Sequence, residues 1–337
     1  MSLEPDMAAP LSMRTDAETI RRIKLDVRRR LHRSLDHLIF EAAADQVPPA
    51  LSRERLAALT LSEPFPSPIV FAAHAALLRA AETDRADLFA RDSAALAALP
   101  EGEHHAPEAP VMALLHERAL SPAACEFLKR AFLDDIGLTA DLVGPSEEEA
   151  DRAADLVGLA LSGFGQALPE RHAEFSALVC MIVLAKPGPE ADRGFGGATV
   201  FDAFGAVLVN VEALKSPART LMTLVHEAAH QQLFLCHLDD PVLLNDAEPR
   251  HVSPLRKEPR PMEGVFHAAW VSAKMALVAD AMLRSGNSPQ WVAELAAYRE
   301  SSIAAVQDAL PTIEAGAEFT PLGAELFREL RSTAEAL

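Results

Sequence analysis

Aromatic residues with a polar handle are nearly missing from this chain: its 337 residues include one Tyr and two Trp. Single-stranded nucleic acid is bound largely by stacking on such rings, so that class of partner fits poorly. Basic charge is short as well. Lys and Arg total 31 against 49 Asp and Glu, a formal net charge of −18, and phosphate-binding surfaces need the opposite balance. Cysteine is scarce: Cys125, Cys180 and Cys236 are widely separated, odd in number and without C-x-x-C spacing. Structural thiols in a reducing cytoplasm are the expectation. Long apolar runs are absent too, since the longest, Ala177 to Ala185, falls far short of the roughly twenty residues a spanning helix needs. Met1 to Pro10 carries acidic residues and no apolar core, so no signal peptide is expected there. No nucleic acid and no membrane are therefore expected among the partners.

Ala and Leu dominate a composition that is half hydrophobic, which favours helices over strands. The expected fold is mainly α with a small β-sheet (α+β). It divides into a disordered 1–15, a helical N-terminal region 16–168 and a metal-site α+β region 169–337 with its core motif at 216–285. Helical spacing of Ile20, Ile23, Leu25, Val27, Leu31, Leu35, Leu38 and Ile39 predicts a first helix from Asp16. Arg28-Arg29-Arg30 within it reads as a solvated face. Further helices are expected around 52–60, 67–83, 84–98, 121–136 and 146–168. The segment 100–112 reads as a loop with His104-His105 exposed in it. Phe175 to Leu184 reads as a buried strand and Thr199 to Val211 as a second strand or hairpin, with Phe201, Asp202 and Gly205 serving ordinary sheet packing.

The stretch with chemistry in it is His226-Glu227-Ala228-Ala229-His230. Histidines four apart on a helix project about 40° from one another around the axis, within reach of one metal ion. Ser216 can cap that helix, Pro217 suits its first turn, and Leu221, Leu224, Val225 and Ala228 give it an apolar stripe. After a polar stretch from Asn245 to Arg260, another helix is expected from Pro261 to about Arg284, stopped by Gly286. Ser288-Pro289 and Thr320-Pro321 should each start one more.

Two histidines bind a metal weakly, so a further ligand is needed. Leu233 and Cys236 stand where a metzincin would have its Gly and third His. Glu248 and Glu263 are the downstream carboxylates available, and His267 is the other candidate. His237 and His251 are backups, His237 about two turns beyond His230 and so expected out of reach.

The segment from Ser253 to His267 reads S-P-x-R, then R-P-x-x-G-x-x-H. With the upstream H-E-x-x-H, this ordered pair of motifs resembles the HExxH-motif peptide-modification family of ribosomal peptide natural-product clusters, over about residues 160–285. The resemblance implies an iron- and 2-oxoglutarate-dependent peptide β-hydroxylase acting in the cytoplasm. His226, His230 and His267 would hold Fe(II), Arg256 or Arg260 would hold 2-oxoglutarate, and O₂ would be consumed. The partner is then a peptide substrate, with recognition of a leader segment and self-association both open. Three facial ligands leave room for a chelating keto acid and O₂, and an Arg fork matches its distal carboxylate. Three imidazoles carry no negative charge, so Glu227, Asp246 or Glu248 could join them. The alternatives are a zinc peptidase with Glu227 as general base, and a non-catalytic peptide-binding protein with a structural metal.

Overall fold

A computed structural model describes residues 12–43, 48–107, 109–136, 141–191, 194–253 and 256–337. In chain order the helices are α1 (Ala17–His37), α2 (Arg53–Thr60), α3 (Pro68–Glu82), α4 (Ala86–Ala97), α5 (Pro122–Ile136), α6 (Glu147–Ala167), α7 (Pro169–Leu178), α8 (Pro217–Cys236), α9 (Met262–Ser285), α10 (Val292–Gly316) and α11 (Pro321–Ala336). The strands are β1 (Val111–Leu114), β2 (Leu142–Val143), β3 (Met181–Pro187), β4 (Gly197–Ala198), β5 (Ala206–Asn210), β6 (His251–Ser253) and β7 (Arg256–Arg260). Helices hold 65% of the residues and strands 9%, so the fold is mainly α with a small sheet.

Helix starts follow the capping chemistry. Side-chain oxygens of Ser67, Ser216 and Thr320 accept from Ile69, Arg219 and Gly323 N–H groups, each ahead of a proline in the first turn. At the other end of α9, Gly286 takes φ +67°, the left-handed stop that its lack of a Cβ makes cheap.

Packing groups the chain into two units. One contains the described residues of Met1–Ile23, Leu159–Phe175 and Ser216–Leu337, the other those of Lys24–Gly158 and Ser176–Lys215. These limits fall inside α1, α6 and α7 and just before α8, and not at 168/169.

The second unit holds the five-stranded sheet, in order β1-β3-β5-β4, with β2 paired to β3. β1, β3 and β5 are parallel, and β4 returns antiparallel. All of β5 and the first five residues of β3 are buried, as the unbroken runs Met-Ile-Val-Leu-Ala and Ala-Val-Leu-Val require of strands covered on both faces. That sheet corrects the sequence reading in two places. Phe175–Leu178 ends a helix, α7, because Pro169 opens a helical turn that the apolar run simply continues. Phe201–Ala203 forms a 3-10 turn, with Phe201 against Phe204 and Asp202 paired to Arg79 at 3.2 Å. His104 is also not exposed: it is buried, and a ring nitrogen pairs with the Leu99 carbonyl at 2.8 Å. In the Arg28–Arg30 stretch Arg29 is exposed and Arg30 pairs with Asp26, whereas Arg28 is not solvated as expected: its side chain is 15% exposed and pairs with Glu63.

The first unit is helical apart from the β6–β7 hairpin, which the polar run from Asn245 to Arg260 concealed. Phe266 and Trp270 on α9 are fully buried, and Phe266 meets Phe319 edge to face. Residues 1–11, expected to be disordered, lie outside the described residues. Residues 12–15 are tied down: Met13 is buried, its N–H donates to Glu329 at 3.0 Å, and Gln232 Nε2 donates to the Ser12 carbonyl at 2.7 Å.

Lys274 of α9 completes that anchor. Its buried ammonium donates to the Met13 carbonyl at 2.8 Å and to the Glu174 carboxylate, while burial pulls its pKa down. Breaking a buried pair costs about 3–5 kcal/mol because a charge is left uncompensated. Arg171 still holds Glu174 at 2.7 Å, so Lys274→Ala is expected to cost about 3 kcal/mol in urea unfolding, the low end of that range. A loss below about 1 kcal/mol would mean that water replaces the ammonium without penalty.

Candidate metal centre

Helix α8 runs as its caps and stripe dictate, with Leu221, Leu224, Val225 and Ala228 all buried. Its histidines share the opposite, half-buried edge. His226 and His230 lie about 40° apart around the axis, and His237, the C-terminal cap, comes back between them at about 20°. Glu227, about 100° round from His226, is buried within the helix flank and leaves the histidine edge.

The pair is set at ligand spacing. His226 Nε2 and His230 Nε2 are 3.3 Å apart. Two nitrogens bound to one tetrahedral ion at about 2.1 Å would be about 3.4 Å apart. His226 Nδ1 faces the Met275 sulfur at 3.4 Å. In the tautomer that puts the ring proton on Nδ1, the thioether accepts it and Nε2 keeps its lone pair.

Helix α9 brings the third ring. β7 leads through Pro261, the N-terminal cap, into Glu263, Gly264 and His267. His267 lies between the histidines of α8, with ring centroids 5.9 Å from His230 and 5.5 Å from His237. Its Nε2 stands 3.7 Å from a Glu263 carboxylate oxygen, one helical turn back. Four imidazoles thus form a row: His226, His230, His267, His237. Among the described residues, His237, Glu263 and His267 form a set whose ligand atoms all lie within 4.8 Å of one another. His226, His230 and His267 do not meet that spacing.

Burial sets the protonation of the row. It lowers His226 to about 4 and His267 to about 3, the latter helped by His237 and Arg260. His230 is held well below its ordinary value by burial, then by His226, His267 and Arg260, and burial also lowers His237. All four rings are neutral at pH 7, the form that ligates metals. Nε2 of His237 and Nε2 of His267 are buried and have no hydrogen-bond partner. Each such nitrogen costs about 1–3 kcal/mol unless something coordinates it, and a cation does that. The residues therefore fit a metal.

Arg260 gives the motif R-P-x-x-G-x-x-H its physical sense. The guanidinium folds back across the first turn of α9, where a Cβ on Gly264 would sit 3.1 Å from its Nε and 3.3 Å from its Cζ. Any side chain at 264 would press on that guanidinium, whose charge already acts on both His230 and His267. Arg256 lies on β7, opposite Ser253, and its side chain is outside the described residues. Asp246 is engaged on the surface with Arg250, and Glu248 is exposed beside it. His251 on β6 packs against Gly316, 3.3 Å from where its Cβ would be.

The separation of His237 from the His226–His230 pair along α8 is real, and α9 bridges it by inserting His267 between His230 and His237. The one sequence signal for the set at this end, beyond the shared face of His230 and His237, is the four-residue spacing of Glu263 and His267.

Compared with known proteins, the chain matches no family model and no curated protein.

Proposed function

We propose that this chain is a cytoplasmic, non-haem Fe(II) enzyme that uses 2-oxoglutarate and O₂ to hydroxylate a carbon, the β-carbon by resemblance, on a side chain of a ribosomally made peptide. The observation that carries this reading is the neutral histidine row with a guanidinium fixed beside it. Iron supplies the redox chemistry. 2-Oxoglutarate leaves as succinate and CO₂, one oxygen atom going to succinate and the other to the hydroxylated carbon.

His226 and His230 stand at ligand spacing, and His267, its ring centroid 5.9 Å from that of His230, is the third ligand the resemblance implies; their neutrality lets them bind without first losing a proton. Arg260 is the cation assigned to the distal carboxylate, because its fork stays charged and matches two oxygens at once. Glu227, buried on the flank of α8, is assigned to orienting a metal ligand or the substrate. The peptide class rests on the resemblance of the two motifs. The compartment is supported by three cysteines that are all free and buried. Among the described residues no helix is long and apolar enough to cross a membrane.

Anaerobic addition of Fe(II) and then 2-oxoglutarate to the metal-free protein tests the reading without knowing the peptide. A weak visible charge-transfer band that needs both components is the expected result. No band, together with zinc-dependent peptide cleavage that Glu227→Gln abolishes, would overturn it in favour of a hydrolase. Tight zinc with no open coordination position would point to a structural metal.

A further inference from the structure

We propose that His237, Glu263 and His267 hold a second divalent cation, so that the facing edges of α8 and α9 carry a two-metal centre. His226 and His237 are eleven residues apart on α8, about 16 Å along the axis. Ligands of one ion lie within about 4.5 Å of each other, so no single ion reaches both ends of the row. The row instead contains two preformed groups. One is the His226–His230 pair, 3.3 Å apart. The other is the set His237, Glu263 and His267, with all three ligand atoms within 4.8 Å.

Unpartnered nitrogens mark this second group from a separate direction. Nε2 of His237 and Nε2 of His267 are both buried without a hydrogen-bond partner. No protein group satisfies either nitrogen, and one cation between them would satisfy both at once. The donor set, two imidazoles and one carboxylate, is the composition that binds Fe(II), Mn(II), Co(II) or Zn(II) while leaving positions open. Glu263 also supplies the negative charge that the pair lacks. Its side chain is 61% exposed, so the open side of this ion faces solvent. Arg260 opposes a cation here, whereas Glu263 and Asp240 favour one at His237. Asp240 is otherwise occupied, accepting from Val242 N–H and the Thr320 hydroxyl, both at 2.6 Å.

His267 belongs to the second group and neighbours the first, its ring centroid 5.9 Å from that of His230. This inference goes beyond the oxygenase reading and shares His267 with it.

Equilibrium dialysis of the metal-free full-length chain against Co(II), read by elemental analysis and by the cobalt d–d spectrum, tests it. Two ions per chain are expected. His237→Ala and Glu263→Gln should each leave one, with affinity for the lost ion weakened by at least about tenfold, and His226→Ala should leave the other. Glu263→Gln is conservative and at the surface, so it tests the site without the loss of packing that His237→Ala carries. A single ion that His226→Ala removes and neither other variant affects would overturn the second site and leave the histidine pair standing. One ion that survives His226→Ala but not His237→Ala would support this site and remove the pair. No bound ion would overturn both.

Discussion

His267→Ala is expected to abolish the 2-oxoglutarate-dependent band and turnover and to weaken metal binding by at least about 100-fold. The estimate is conservative, since partners one shell outside a ligand are alone worth about 10–100-fold in affinity. Among the described residues His267 is the ring that neighbours both His230 and His237, so its removal disconnects the row wherever the ion sits. Loss of fold is a poor rival explanation. Its Nε2 makes no hydrogen bond, so deleting it removes an unsatisfied polar group along with some packing. The metal-free variant should therefore unfold close to the wild type. A ligand at 100 times its Kd stabilises by about 2.7 kcal/mol, and thermal melts should show that gain for the wild type and none for the variant. Full metal-induced stabilisation in His267→Ala would remove α9 from the ligand set.

Arg260→Leu should leave metal binding intact and raise the apparent KM for 2-oxoglutarate. Truncating one partner of a desolvated, hydrogen-bonded charge pair costs about 2–5 kcal/mol, which is roughly 30-fold to several thousand-fold. Arg260→Lys should recover a small part, because an ammonium keeps the charge and loses the fork. Gly264→Ala supplies an independent check. Its methyl would press on the guanidinium at 3.1 Å, so it should raise the same KM by a smaller factor with Arg260 still present. If Arg260→Leu instead lowered kcat and iron content together, Arg260 would be holding the histidines in place and not the keto acid.

Much of this arrangement was legible in the sequence because it is local. Caps, prolines and the Gly286 stop mark the ends of α3, α8, α9 and α11 within a residue or two, since each is settled by bonds inside one turn. The two H-E-x-x-H rings follow from helical pitch alone. What was hidden is non-local. β1 is four residues whose partner, β3, lies seventy positions later, and nothing in Val-Met-Ala-Leu announces a parallel neighbour. Phe175–Leu178 is apolar enough for either state, and Pro169, six residues upstream, decided for the helix. The hairpin β6–β7 is short, polar and proline-bearing, against every strand preference. At the site, the pairing of His237 with His267 depends on how α9 lies along α8, which no periodicity within either helix reveals.

The interleaving of the two units bears on how the chain matures as it leaves the ribosome. Every segment of the sheet-bearing unit has been made by Lys215, with 159–175 carried as an insertion. The helical unit has by then received its described residues up to Ile23 and its 159–175 piece, yet has none of α8 to α11. The Met13 anchor must therefore wait more than two hundred and fifty residues for Lys274. Synthesis is thus sequential for the two units: the sheet has all its strands while the histidine row of α8 and α9 is still untranslated. A chain stopped at Lys215, between β5 and α8, would be expected to retain the sheet and to bind no metal at this centre.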